Sequence, residues 1–260
     1  MIKILKYSFF DLIRSRWSLI YFIFYLLLAL VLLFLNNDIS KAIITMMNVI
    51  IILGPLIGII FGIMYYYNSL EFTELLLAQP IKRSSIFLGQ FFGLALSLSF
   101  SLVLGLGIPF VFYGLFQSGE IWNFVSLLWI GFILTFIFTG VAFFIALANQ
   151  NRIKGFGMAI LFWLFMAVIY DGIFLLLLVW FKEYPLDTFA LLSSVLNPID
   201  LSRVMILLKL DISALMGYTG AVFKNFFGSG MGMLSSISIL VLWAVVPILA
   251  IVRKAKRKDF

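Results

Sequence analysis

The sequence predicts an all-α polytopic membrane protein with six transmembrane helices, and three observations carry that reading. Of 260 residues, 64% are hydrophobic and only 11% charged. A soluble domain carries roughly a quarter charged residues, so this chain cannot cover a globule with a solvated surface. The charges also fall between long apolar runs: Ala42–Leu70 and Ser84–Gly119 are free of charge over 29 and 36 residues. In lipid a segment must satisfy its own backbone polar groups, so such runs are read as helices.

At the N-terminus, Ile2, Leu5, Phe9, Leu12 and Ile13 share one arc of a helical projection, with Lys3, Tyr7, Asp11 and Arg14 opposite. This predicts an amphipathic interfacial helix over 2–16, with Ile4 and Phe10 as exceptions to the pattern; a plain extension of the first span is the alternative. About 20 apolar residues are needed to cross a ~30 Å core. Six segments meet that length: about 17–35, 42–67, 86–114, 124–147, 155–181 and 232–252. The first is longer than a signal-peptide core and ends in "NNDISK" without a small-residue cleavage site, so it is expected to be retained. The run from Ser84 would be ~54 Å long as a helix, and is expected to tilt and to bend near Pro109. Between the second and third spans a short helix is predicted over about 70–79, stopped by Pro80. The connection 182–231 holds two more helix starts, "NPID" at Asn197 and a cap at Asp211. They predict an external helical pair over about 198–209 and 212–227, too apolar to stand free in water, which lies on the outer membrane surface, dips into it as a re-entrant pair or docks on a partner.

Thirteen of the 18 Lys and Arg lie in the N-terminus, the 68–85 and 149–154 loops and the C-terminal tail. The positive-inside rule then puts both termini in the cytoplasm, in the inner membrane of a bacterium under the resemblance drawn below. The +7 net charge does not point to nucleic acid, because the bases flank apolar segments instead of forming a stripe. With no Cys and no His, disulfides, thiol chemistry, Cys/His zinc sites and imidazole catalysis are excluded. No catalytic, cofactor-binding or metal residues are expected.

Two ribbons of small residues, Gly54/Gly58/Gly62 and Gly89/Gly93/Ser97/Ser101/Gly105, permit close helix approach. Either could be a seam with a second copy or packing inside one bundle. Asp171 is the sole charge within any span, and intramembrane acids are functional candidates by default. Every Lys and Arg lies at or beyond a span end, so no base is expected to pair with it; it is expected to be protonated, hydrated in a cavity, or hydrogen-bonded to neutral groups such as Tyr170, Thr135, Thr139 or Asn48. On the external side, Met205, Met216, Met231 and Met233 offer thioethers that suit Cu(I), though apolar filling accounts for them equally.

The polar interruption "TELLLAQPIKRSS" (Thr73–Ser85) combines acids, leucines, a proline and bases. On a helix, Glu71, Glu74 and Ala78 share one face, with Phe72, Leu75 and Leu76 on another. This suits a flat helix offering apolar knobs to a cytoplasmic partner; an interfacial turn anchored by bases is the alternative. These residues, "TELLLAQPIKRSSIFLGQ" (Thr73–Gln90) preceded by Glu71, resemble the coupling-helix segment of ABC exporter permeases of the type-two class. "LNPIDLSRVMILLKLDISALMGYTGAVFKNFFGS" (Leu196–Ser229) resembles the NosY-type permeases of the nitrous-oxide reductase maturation system. One departure is Asn68-Ser69-Leu70, where such permeases often carry a base.

The resemblance implies a non-catalytic permease paired with a second copy of itself and with two ATPase subunits. ATP and Mg would sit in those subunits, since this chain has no GxxxxGK[ST] loop. It implies ATPase coupling through Glu71, Glu74, Leu75, Leu76, Pro80 and Arg83. A periplasmic copper-handling partner would dock on the external pair, with Arg203 and Lys209 at the rim and Gly217 and Gly220 at close contacts. A general lipid or drug exporter is the nearest alternative, and an ion-driven carrier using Asp171 is one of another class. An intramembrane hydrolase is rejected, because a His-based triad is impossible and an aspartyl dyad needs two in-membrane acids.

Overall fold

The computed structural model describes residues 1–36, 38–181, 187–209 and 230–257, without the side chains of Asp187, Thr188 and Lys209. The predicted helix over 212–227 and its cap, with Gly217 and Gly220, lie outside the described residues. Those described form helices and turns with no strand. In order they are α1 (Ile2–Ile13), α2 (Arg16–Asn36), α3 (Ile39–Asn68), α4 (Leu70–Leu77), α5 (Arg83–Phe112), α6 (Ile121–Ala148), α7 (Arg152–Leu164), α8 (Tyr170–Trp180), α9 (Asp187–Leu196), α10 (Pro198–Lys209) and α11 (Gly230–Arg257). A π turn, Phe165–Ile169, joins α7 to α8 into one continuous span. Among the described residues six helices are thus long and apolar enough to cross a membrane, and the protein is a helical membrane protein.

The fourth span, α6, is the centre of the bundle. Within its most apolar window 78% of the residues are buried, against 11% for the fifth span. Hydrophobicity alone cannot hold helices together in lipid, so backbone approach must do so, and the small-residue ribbons show where. On α3, a Cβ at Gly58 would come 3.2 Å from Thr139 Oγ1, and one at Gly62 would come 2.6 Å from Ala142 Cβ, both on α6. On α5, a Cβ at Gly89 would meet Ile4, at Gly93 Ser8, and at Gly105 Tyr25; Ser101 Oγ and Ser18 Oγ are hydrogen-bonded at 3.0 Å. Both ribbons are therefore consumed by packing inside one chain.

The α5 ribbon also locates the N-terminal helix. α1 and then α2 follow α5 turn by turn, with Ile4, Ser8 and Leu12 inward. Ile4, an exception to the amphipathic pattern, is one of the most buried residues of α1, because its seat is a glycine that projection of α1 alone cannot reveal. α5 runs helical through Pro109 to Phe112 and turns at Gly114, whose φ of 95° suits glycine.

Two candidate functional sites

At the end of the bundle that carries the termini, α4 stands between α3 and α5. Thr73, buried, donates through Oγ1 to Ser69 O at 2.7 Å and accepts from Gln90 Nε2 at 2.8 Å. Phe72 stacks on Tyr7 with ring centroids 4.8 Å apart. These contacts fix which way α4 faces. Glu71, Glu74, Leu75 and Ala78 point outward, at helical spacings of three and four, and Leu75 is 69% exposed. The face differs from the expectation in one respect: Leu75 lies with the acids, while Phe72 turns in to α1 and Leu76 is half-buried. The helix ends at Leu77, and Pro80 and Arg83 are exposed beyond it.

At the opposite end, α9 and α10 meet at a 114° bend, the geometry of a broken span or re-entrant loop. α10 does not lie on an outer surface: Ile199, Leu201, Val204 and Ile206 are all buried, and the helix packs on α3, α6 and α11. Asn197 makes the bend. Its Oδ1 accepts from Ile199 N at 3.0 Å, the predicted cap, and its Nδ2 donates to Met166 O in the π turn at 2.8 Å. A π turn departs from the regular backbone ladder, and here a carbonyl within it receives a side-chain donor. One turn on, Tyr170 Oη donates to Ser193 O at 2.6 Å, and Trp243 Nε1 of α11 donates to Val195 O at 3.1 Å.

These bonds bring Asp171 to α10, and the expectation that no base could reach it is wrong. Arg203 Nη1 donates to Asp171 Oδ2 at 2.8 Å and to Asp200 Oδ1 at 2.9 Å. The four neutral partners expected of Asp171 are not used. Arg203 had been left aside because it sits between spans, but the re-entrant bend carries it inward. For the same reason Arg203 is engaged with two acids. The three side chains are 26% (Asp171), 12% (Asp200) and 29% (Arg203) exposed, so the trio is partly shielded. Asp200 entered the sequence reading only as a helix-start residue. Its spacing of three from Arg203 on one helix face was the signal that could have linked them.

Met205 and Met233 line one cavity of about 440 Å³ with Trp122 and Trp129, while Met231 is exposed and Met216 lies outside the described residues. No group of three or more His, Cys, Asp or Glu able to hold a metal occurs among the described residues. No protein-family model matches the chain, and no curated protein matches it closely enough to be called a relative.

Proposed function

We propose that this chain is the membrane permease of an ABC exporter, converting the closure of a partner ATPase pair into movement of its spans. The observation that carries the reading is the outward face of α4. A short helix, α4, is held by Thr73, Gln90 and Phe72, yet presents Leu75 and two glutamates to solvent. A helix serving only as a turn would not need its orientation fixed on both flanks. Motion applied to α4 would pass to α5 through Gln90 and to α1 through Tyr7, two helices that pack on each other. Both termini are cytoplasmic in this reading, and the functional unit holds two copies of the chain and two ATPase subunits.

In its narrower form the proposal places the transporter in copper-centre assembly of nitrous-oxide reductase, on the likeness of Leu196–Ser229 to NosY-type permeases. The buried part of that segment, α10, would then report to the spans, leaving any contact with a periplasmic partner to residues beyond it. The ion-driven alternative has less support, because Asp171 is committed to Arg203.

The test is co-purification of the tagged chain with a partner ATPase subunit from its host. Burying one leucine at an interface contributes about 1.5–3 kcal/mol, so Leu75→Asp is expected to weaken the complex about ten- to a hundredfold while leaving membrane insertion unchanged. Undiminished co-purification would defeat the coupling role. Loss of copper from nitrous-oxide reductase on deletion of the gene in its host tests the narrower form.

A further inference from the structure

A cavity of about 280 Å³ opens at the same end of the molecule, between the α1–α2 joint, the end of α3 and α4. Its volume is at the lower edge of the range for small-molecule sites, and its walls are graded. At one end Trp17, which opens the first apolar span, meets Phe61 of α3 edge-on at 6.4 Å. At the other, the stacked Tyr7 and Phe72 close the space between α1 and α4, and Asn68 and Ser69 supply polar groups. Phe61 and Ser69 are eight residues apart on one helix end, about 12 Å at the helical rise, so the change from apolar to polar takes place within the length of a lipid head and its glycerol.

One charged side chain lines the cavity, Asp11, and among the described residues it forms no ion pair. A carboxylate beside aromatic faces is the arrangement that holds an ammonium group, by charge and by the ring quadrupole. Outside the lining, the exposed Arg14 and Arg16 are the chain neighbours of the lining residue Ser15, and supply the positive charge nearest to it along the chain. An ammonium, a phosphate joined to it through a two-carbon bridge and an apolar tail together describe a zwitterionic phospholipid. The position agrees, because the cavity lies where two spans leave their apolar stretch, and Trp and Tyr gather at that depth in membrane proteins.

We infer that this cavity is a binding site for the head of an ammonium-bearing phospholipid, with Asp11 as the recognition residue. The inference stands whether or not the chain works with an ATPase. It is tested on the purified full-length chain in nanodiscs of phosphatidylglycerol, with spin-labelled phosphatidylethanolamine and spin-labelled phosphatidylglycerol as paired probes. The motionally restricted fraction of each is read by electron paramagnetic resonance. The wild type is expected to prefer phosphatidylethanolamine about three- to fivefold, the worth of one such contact at a partly exposed site. Asp11→Asn, which removes charge from an exposed side chain, should bring the ratio to about one, and Trp17→Leu should reduce it. A wild-type ratio of one, or a preference that Asp11→Asn leaves intact, would overturn the assignment. Water-soluble glycerophosphoethanolamine should not displace the labelled lipid; if it does so completely, the occupant is a free amine and the lipid assignment fails.

Discussion

Replacing Arg203 by leucine asks how much the charged trio contributes. The substitution keeps an apolar side chain on α10 and leaves Asp171 and Asp200 without the donor they share at 2.8 and 2.9 Å. An uncompensated acid at the centre of a span costs about 2.5–3.5 kcal/mol on insertion scales. Both acids here are off-centre, and Asp171 keeps 26% of its exposure, so about half that cost each is appropriate, roughly 3 kcal/mol together. At about 2–4 °C per kcal/mol for a chain of this size, the melting midpoint should fall by roughly 6–12 °C. The assay is thermal unfolding in detergent, read as loss of the monodisperse peak in size exclusion. Adding Asp171→Asn and Asp200→Asn to Arg203→Leu removes both orphaned charges and should recover most of the loss, since interacting residues are non-additive. A midpoint for Arg203→Leu within about 1 °C of wild type would refute the reasoning. So would a triple variant no better than the single one.

Two further outcomes follow from the packing. Gly93→Ala sets a Cβ 2.5 Å from Ser8 Cβ and 3.0 Å from Leu5 O, so α1 must shift at a cost of about 1–3 kcal/mol; Gly107→Ala, with nothing within 4 Å, should leave the melting midpoint in place. Asn197→Ala removes both the cap on Ile199 and the donor to Met166 O. It should cost about 1–2 kcal/mol and speed hydrogen exchange at the start of α10, and unchanged exchange there would count against Asn197 as the pin of the bend.

The six spans were legible because bilayer thickness imposes a length on apolar runs, and that length can be read without any tertiary knowledge. The observed helices exceed the predicted segments by a few residues at most ends, as at Ile39 and Arg257, because a helix continues past the lipid wherever its backbone bonds can still close. Asn197-Pro198 was readable for a similarly local reason: a cap bonds only to backbone two or three residues on. Leu75 was assigned to the wrong face of α4 because which side of a short helix turns inward depends on Thr73 meeting Gln90 from another helix. Each glycine ribbon was compatible with a second copy or with the chain itself, since small residues permit close approach without naming the partner. Above all, Asp171 and Arg203 are 32 residues apart on segments that read as a span and an external helix. Apolar length, caps and charge asymmetry are properties of neighbours along the chain and were determined by the sequence alone. The trio, the burial of α10 and the facing of α4 were decided by the tertiary structure, because a buried charge takes its partner from whichever helix the fold brings within about 3 Å.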